Sequence, residues 1–281
     1  MLLTENVSPT SLLKSLFAAL CLGRVRPFMM LATYADETGH YPDPRRTVVG
    51  LGGFLGKSDN WGVFDEKWRT ICDQEGVVRP FHMADFASSA EQFKSWKGDE
   101  TRRQRLMQRL VSTIISARVY PVGAVVPVED FKSLSDDQRK QLGGDPYYVA
   151  FQQVTHQMAF GGSFLSCPPE PVAMIYARLR GYTGRAMELW EAIKQYNIYG
   201  DWMSSFTAGD PKDYTPLEAA DLWAYELGRH YEYILPKEEK WRWPFEQIID
   251  HALRIGGGHK FFEFCDKGFM LGVLGEADET K

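Results

Sequence analysis

The chain has no uninterrupted apolar run approaching the roughly 20 residues needed to cross a bilayer, which argues against a membrane partner. It holds only four cysteines, at 21, 72, 167 and 265, and none stands in a CxxC or CxxH spacing. Neither a zinc site nor a disulfide framework is therefore signalled, and reduced thiols in a cytoplasm are the expected state. The excess of one charge sign is small, -5, which argues against non-specific coating of nucleic acid but leaves room for a local basic groove. A phosphate-cradling GxxxxGK(S/T) loop is missing, and no basic stripe is interleaved with aromatics. There is no internal repeat and no low-complexity linker.

What is present is a globular composition. A chain of 281 residues, 44% hydrophobic and 25% charged, can bury one large core or two small ones. Residues 1–30 read as an N-terminal extension with a short amphipathic helix near SLLKSLFAALCL (11–22). Lys14 falls inside the apolar part of that stretch, where a secretory signal would not place it. Met29 and Met30 fit an over-extended start site. From residue 31 strands and helices alternate. LATYADE and TVVGLGGFLG (47–56) pair across YPDPRR. A helix follows Ser58-Asp59-Asn60, which supply caps, with Trp61, Phe64, Trp68 and Ile71 at helical spacing. A helix over about 99–117, a β-rich segment over 118–128, a helix over 146–160 and the strand VAMIYA (172–177) come next. The helix GYTGRAMELWEAIKQY, the short strand WMSSFTA and a late helix TPLEAADLWAYELGRHYEYI complete the pattern. The expected architecture is one α/β domain over 31–272, a mixed sheet flanked by helices with helical additions, followed by a tail over 273–281.

One stretch stands out. LATYADETGH carries an apolar run that ends in two adjacent carboxylates, Asp36 and Glu37, before Thr38-Gly39. Alone it reads as an acidic hairpin turn, yet buried strands avoid ionised groups unless these are paired or hold a metal. Successive strand residues point to opposite faces, so Asp36 and Glu37 are not expected to face one site while the strand continues. On the late helix Glu218 and Asp221 are three apart and share a face. Asp221 sits among Ala219, Ala220, Leu222 and Trp223, and the small alanines would let this helix pack closely on a sheet. If Asp221 meets Asp36, the cluster repels itself unless a hard cation neutralises it. Mg²⁺ or Mn²⁺ suits such a site, and two ions roughly 4 Å apart would activate water and steady the leaving oxygen of a phosphodiester. Glu218 fits a capping box behind Thr215 and Pro216 equally well, and the alternative for Asp221 is a buried pair with an arginine.

YADETG, the later FHMADF and TPLEAADLWAYELGRH resemble the signature segments of the family called domain of unknown function 3800, over about 31–250. The resemblance implies a ribonuclease H-like fold, a carboxylate-bound Mg or Mn site and a metal-dependent nuclease activity on DNA or RNA. It places Asp36 and Asp221 as metal ligands, with Glu37 accessory, and Glu218, where the family commonly has glutamine, as a further candidate ligand that adds negative charge near the metal. The strand VAMIYA ends at Ala177, where the pattern places an aspartate, and alanine binds no metal. Three readings follow: lost activity, an inactivating substitution, or a neighbouring acid such as Glu188 in its place.

His82 and Asp85 in FHMADF carry two readings. His82 is either a packed residue, with Asp85 as a helix cap, or a site-lining proton-transfer group; the resemblance favours the second. Arg178 and Arg180, beside the strand end at Ala177, are candidate contacts to substrate phosphate. Arg102, Arg103 and Arg105 read as a solvated helix face, and Tyr34, Trp190 and Trp223 as core. Against the nuclease stand a catalytically silent nucleic-acid- or protein-binding module on the same fold, and a hydrolase or transferase for small phosphorylated molecules.

Overall fold

The computed structural model of the chain describes residues 31–39, 41–165, 170–178, 181–255 and 262–275. The extension over 1–30, Arg180 and residues 276–281 of the tail lie outside the described residues. β1 (Leu31–Thr38) returns antiparallel as β2 (Val48–Lys57), and Gly39 makes the turn with φ 72°, the left-handed region that favours glycine. The chain then passes from strand to helix without a break. α1 (Ser58–Glu75) follows Lys57 directly, and Lys57 at its N-cap makes no side-chain capping bond. Ser58 is thus the first helical residue, not a cap, which corrects the expectation from Ser58-Asp59-Asn60. The expected apolar face is correct: Trp61, Phe64, Trp68 and Ile71 are all buried.

α2 (Met83–Ser88) is a short helix behind His82, and α3 (Glu100–Ser116) starts where Asp99 accepts a hydrogen bond from the Arg102 N–H at 3.0 Å. β3 (Tyr120–Pro127) pairs antiparallel with β2. α4 (Val128–Lys132) and α5 (Asp136–Gln141) lead to α6 (Pro146–Phe164), capped by Asp145 on the Tyr147 N–H at 2.9 Å. α6 runs through Gly161 and Gly162, four residues further than the sequence pattern suggests. β4 (Val172–Ala177) lies parallel to β1. α7 (Thr183–Tyr196) leads to β5 (Met203–Gly209), parallel to β4. α8 (Pro216–Arg229), α9 (Trp243–Ile255), β6 (Phe262–Phe264) and α10 (Lys267–Val273) complete the described chain.

The sheet is mixed, six strands in the order β5-β4-β1-β2-β3-β6. Side-chain alternation divides the core into two layers. Ala32, Tyr34, Ala173 and Ile175 face α1, α3 and α8, together with Trp223 and Phe245. Leu31, Ala35, Met174 and Tyr176 face α6 and α7, together with Phe151 and Trp190. Tyr34, Trp190 and Trp223 are core residues, as their sequence setting suggests. Cys72 and Cys265 are buried and unpaired, and burial pushes the Cys72 thiol up to about 12. Among the described residues no helix is long and apolar enough to cross a membrane.

Candidate functional site

α8 lies along β1 and β2, and small residues set how close it comes. Gly52 pairs with Asp36 across the sheet, and a side chain there would put its Cβ 2.7 Å from the Ala224 Cα. One turn further on, Gly228 stands against the Thr38 side chain. The bare backbone at Gly52 therefore brings α8 down onto the end of β1, with Asp221 one turn before Ala224. Asp36 follows Tyr34 on the α8 side of the sheet, and its charge interacts with that of Asp221.

Asp36 and Glu37 are adjacent on β1, and the Glu37 N–H donates to Asp36 Oδ1 at 2.9 Å. The strand goes on pairing with β2 through Asp36, Glu37 and Thr38, so the alternation expected of the two side chains applies at these positions. Burial first, then the Glu37 charge and that of Asp221, hold the Asp36 carboxyl well above the usual carboxylate range.

Asp221 Oδ2 accepts the Met83 N–H at 2.8 Å and lies 3.5 Å from His82 Nδ1. His82 is half exposed, with 52% of its side chain open to solvent, so it is not the packed residue of the blander expectation. It also occupies the N-cap of α2, the place that reading assigned to Asp85. Asp221 raises the His82 pKa through this contact, against the opposing effect of burial.

Glu218 behaves differently from its neighbour on the same helix. It is fully buried; its Oε2 accepts the Trp68 Nε1–H at 2.8 Å and the Phe81 N–H at 3.0 Å, and Arg79 lies 2.6 Å from Oε1. Every partner is a donor or a cation, which a carboxylate satisfies. Burial pushes its pKa up and Arg79 pulls it back. The capping-box role is absent: Thr215 makes no capping bond, and its hydroxyl accepts from Arg79 at 2.5 Å.

β4 ends beside β1. Ala35 pairs with Tyr176, so the next position on each strand is Asp36 and Ala177, and Ala177 packs on the same side as Tyr34. Glu188 is on α7, which packs on the opposite face, and it is exposed and paired with Arg185 at 2.9 Å. It does not stand in for an acid at 177. Arg178 is exposed, and its guanidinium donates to the Ala208 carbonyl at 3.4 Å.

Sequence reasoning missed a cleft of about 440 Å³ beside the site, lined by Met83, Arg103, Gln104, Tyr225, Arg229 and Arg242 among others. The expected solvated face of α3 is corrected in part. Arg105 is exposed as expected, though bonded to Glu75 at 2.8 Å, whereas Arg102 stacks 3.7 Å over Trp96 and the Arg103 side chain is only 12% exposed. The signal for these contacts is weak in the chain itself, because each partner comes from a distant element.

The donor chemistry fits a loosely held cation. Mg²⁺ needs only one or two carboxylates when waters and phosphates supply the rest, and the mutual repulsion of Asp36 with Glu37 and Asp221 is of the kind a cation relieves. Among the described residues, though, no three His, Cys, Asp or Glu side chains lie close enough to cage an ion by themselves. No protein-family model matches the chain, and no curated protein does either.

Proposed function

We propose that the chain is a ribonuclease H-like, metal-dependent nuclease or a relative of one, in which Asp36 and Asp221 hold Mg²⁺ or Mn²⁺ and Glu37 assists. The observation that carries the reading is the close approach of α8 to the end of β1, at Gly52 against Ala224 and Thr38 against Gly228, which brings the charges of Asp36 and Asp221, some 185 residues apart in sequence, into interaction. In open α/β sheets ligands gather at such strand ends, where neighbouring connections leave in opposite directions. The six-stranded mixed sheet with helices on both faces is compatible with that fold, and the motifs resembling the domain of unknown function 3800 family fall at this strand end and on α2 and α8.

A bound ion would activate water and steady the leaving oxygen. The chain's own residues do the remaining work. His82, half open and with Nδ1 beside Asp221, accepts or returns a proton at its other ring nitrogen, and Asp221 helps to orient that ring. Arg178 lies at the exposed edge of β4, within the reach of a phosphate backbone. Glu218 holds Arg79 and the start of α2 in place rather than meeting substrate.

Ala177 favours a second reading, a catalytically silent binding module on the same fold. Its methyl stands next to Asp36 where the resembling family has a carboxylate. Mn²⁺ calorimetry on three proteins separates the two. The expected outcome is weak binding by the native chain, loss of binding in Asp36→Asn, and about tenfold tighter binding in Ala177→Asp, worth about 1.4 kcal/mol. Failure of all three proteins to bind would sink the metal site and leave the silent module.

A further inference from the structure

The cleft beside Asp221 has an uncommon guanidinium. Arg229 is two turns beyond Asp221 on α8, so Asp221, Tyr225 and Arg229 follow one side of that helix. The Arg229 Nε is buried with no hydrogen-bond partner among the described residues. Its Cζ lies 4.3 Å from the centre of the Tyr233 ring. Leaving a guanidinium N–H unmatched in a partly buried place is costly, and such groups are normally paired.

The other arginines of the cleft are placed and partly spent. Arg242 is bound through two hydrogen bonds, of 2.8 and 2.9 Å, to the buried Glu226. Arg103 donates to the Ser89 hydroxyl at 2.9 Å and to the Ala87 carbonyl at 3.4 Å, with its Cζ 4.5 Å over the Phe86 ring. Glu100 at the rim is 70% exposed and 3.7 Å from Arg103, too open to neutralise the interior. The buried Glu226 is shared, since it is bonded to Arg242 and also feels the Arg229 charge, so the three arginines of the cleft exceed its one buried carboxylate. Directly after Arg229 the helix widens into a π-helical turn, His230–Ile234, a feature that recurs at functional sites.

We propose that this cleft takes a phosphate group, with Arg229 as its principal ligand and Arg103 beside it. Resting on the nuclease reading, the source is a phosphate of the polynucleotide strand away from the one being cut. Asp221 and Arg229 are eight residues apart, about 12 Å along a helix, which matches three or four stacked nucleotides at about 3.4 Å each. Met83 lines the cleft and its N–H donates to Asp221, so one residue separates the cleft from that carboxylate. A guanidinium fork is suited to phosphate oxygens, and Tyr225 and Gln104 offer neutral donors nearby.

The test uses the full chain, with two probes and no divalent metal, so that nothing is cleaved. Affinity for a short labelled single-stranded oligonucleotide is measured across a salt series, and pyrophosphate binding is followed by thermal shift. Arg229→Gln is expected to weaken both by about tenfold and to reduce the salt slope for the oligonucleotide by about one phosphate contact. Arg229→Lys, which keeps the charge, should recover part of the loss and so excludes simple misfolding. Binding of pyrophosphate alone, still lost in Arg229→Gln, would uphold the cleft while overturning the polynucleotide as its source. Equal binding of both probes by native protein and Arg229→Gln would overturn the inference. That result would leave the metal site standing if Mn²⁺ still binds.

Discussion

Glu218 and Asp221 share one face of α8 and yet have separate work. Glu218 faces three donors from α1 and the segment before α2, all of them structural, while Asp221 is turned to His82 and the strand end. Removing a buried partner leaves the other charge uncompensated, at a cost of about 3–5 kcal/mol. Glu218→Ala is therefore expected to lose that much stability in denaturant unfolding, with Arg79 stranded in the core. A Glu218→Ala protein as stable as the native chain would show that Arg79 finds another partner. Side-chain spacing on the helix gave the shared face of the two acids, because that needs only the helical repeat. It could not separate their roles, since Trp68 and Phe81 lie 150 and 137 positions away in sequence. The same holds for Arg229, whose unbonded Nε is visible only once every neighbour is in place.

At the scale of elements, the strands and helices were legible because their apolar repeats are strong. VAMIYA is β4 to the residue, and the face of α1 is the one its tryptophans mark. The starts of helices were less legible. Ser58 and Thr215 both look like caps, but β2 runs straight into α1 and Arg79 claims the Thr215 hydroxyl, so tertiary contacts override the local signal. The contact of α8 with the sheet is a designed closeness. Gly52→Ala would press a methyl into the Ala224 backbone, which cannot rotate away. Overpacking of this kind costs about 1–3 kcal/mol, and the displaced α8 would carry Asp221 from Asp36. Unfolding midpoints and Mn²⁺ calorimetry on Gly52→Ala should therefore fall together; a loss of stability with unchanged Mn²⁺ affinity would separate the helix contact from the site.

For the molecule as a whole, two buried histidines set a response to acid. His230 stacks on Phe245 with centroids 4.0 Å apart, and its Nδ1 has no hydrogen-bond partner among the described residues. His251 on α9 is likewise buried, with Nε2 unmatched. Burial holds both below the ordinary value; the Arg254 charge adds to this at His251, against a weaker opposing bond with the Val119 backbone. A depressed histidine favours the neutral folded state. Its contribution is therefore full above the unfolded value of about 6.5 and is lost as pH falls through the folded one. The melting temperature should hold between about pH 7 and 8 and decline below about pH 6.5, less steeply in His230→Phe. A flat profile down to about pH 5 would contradict the assignment. The strand order has a kinetic side as well. β1 and β2 form a local antiparallel hairpin, whereas β3 reaches β2 across about 60 residues and β4 reaches β1 only by closing a loop of roughly 140 residues. Long-range pairing of this kind is slow, so the edge of β1 that carries Asp36 is expected to stay open after the hairpin has formed. Partly folded molecules would then present a bare strand edge in place of the carboxylate site.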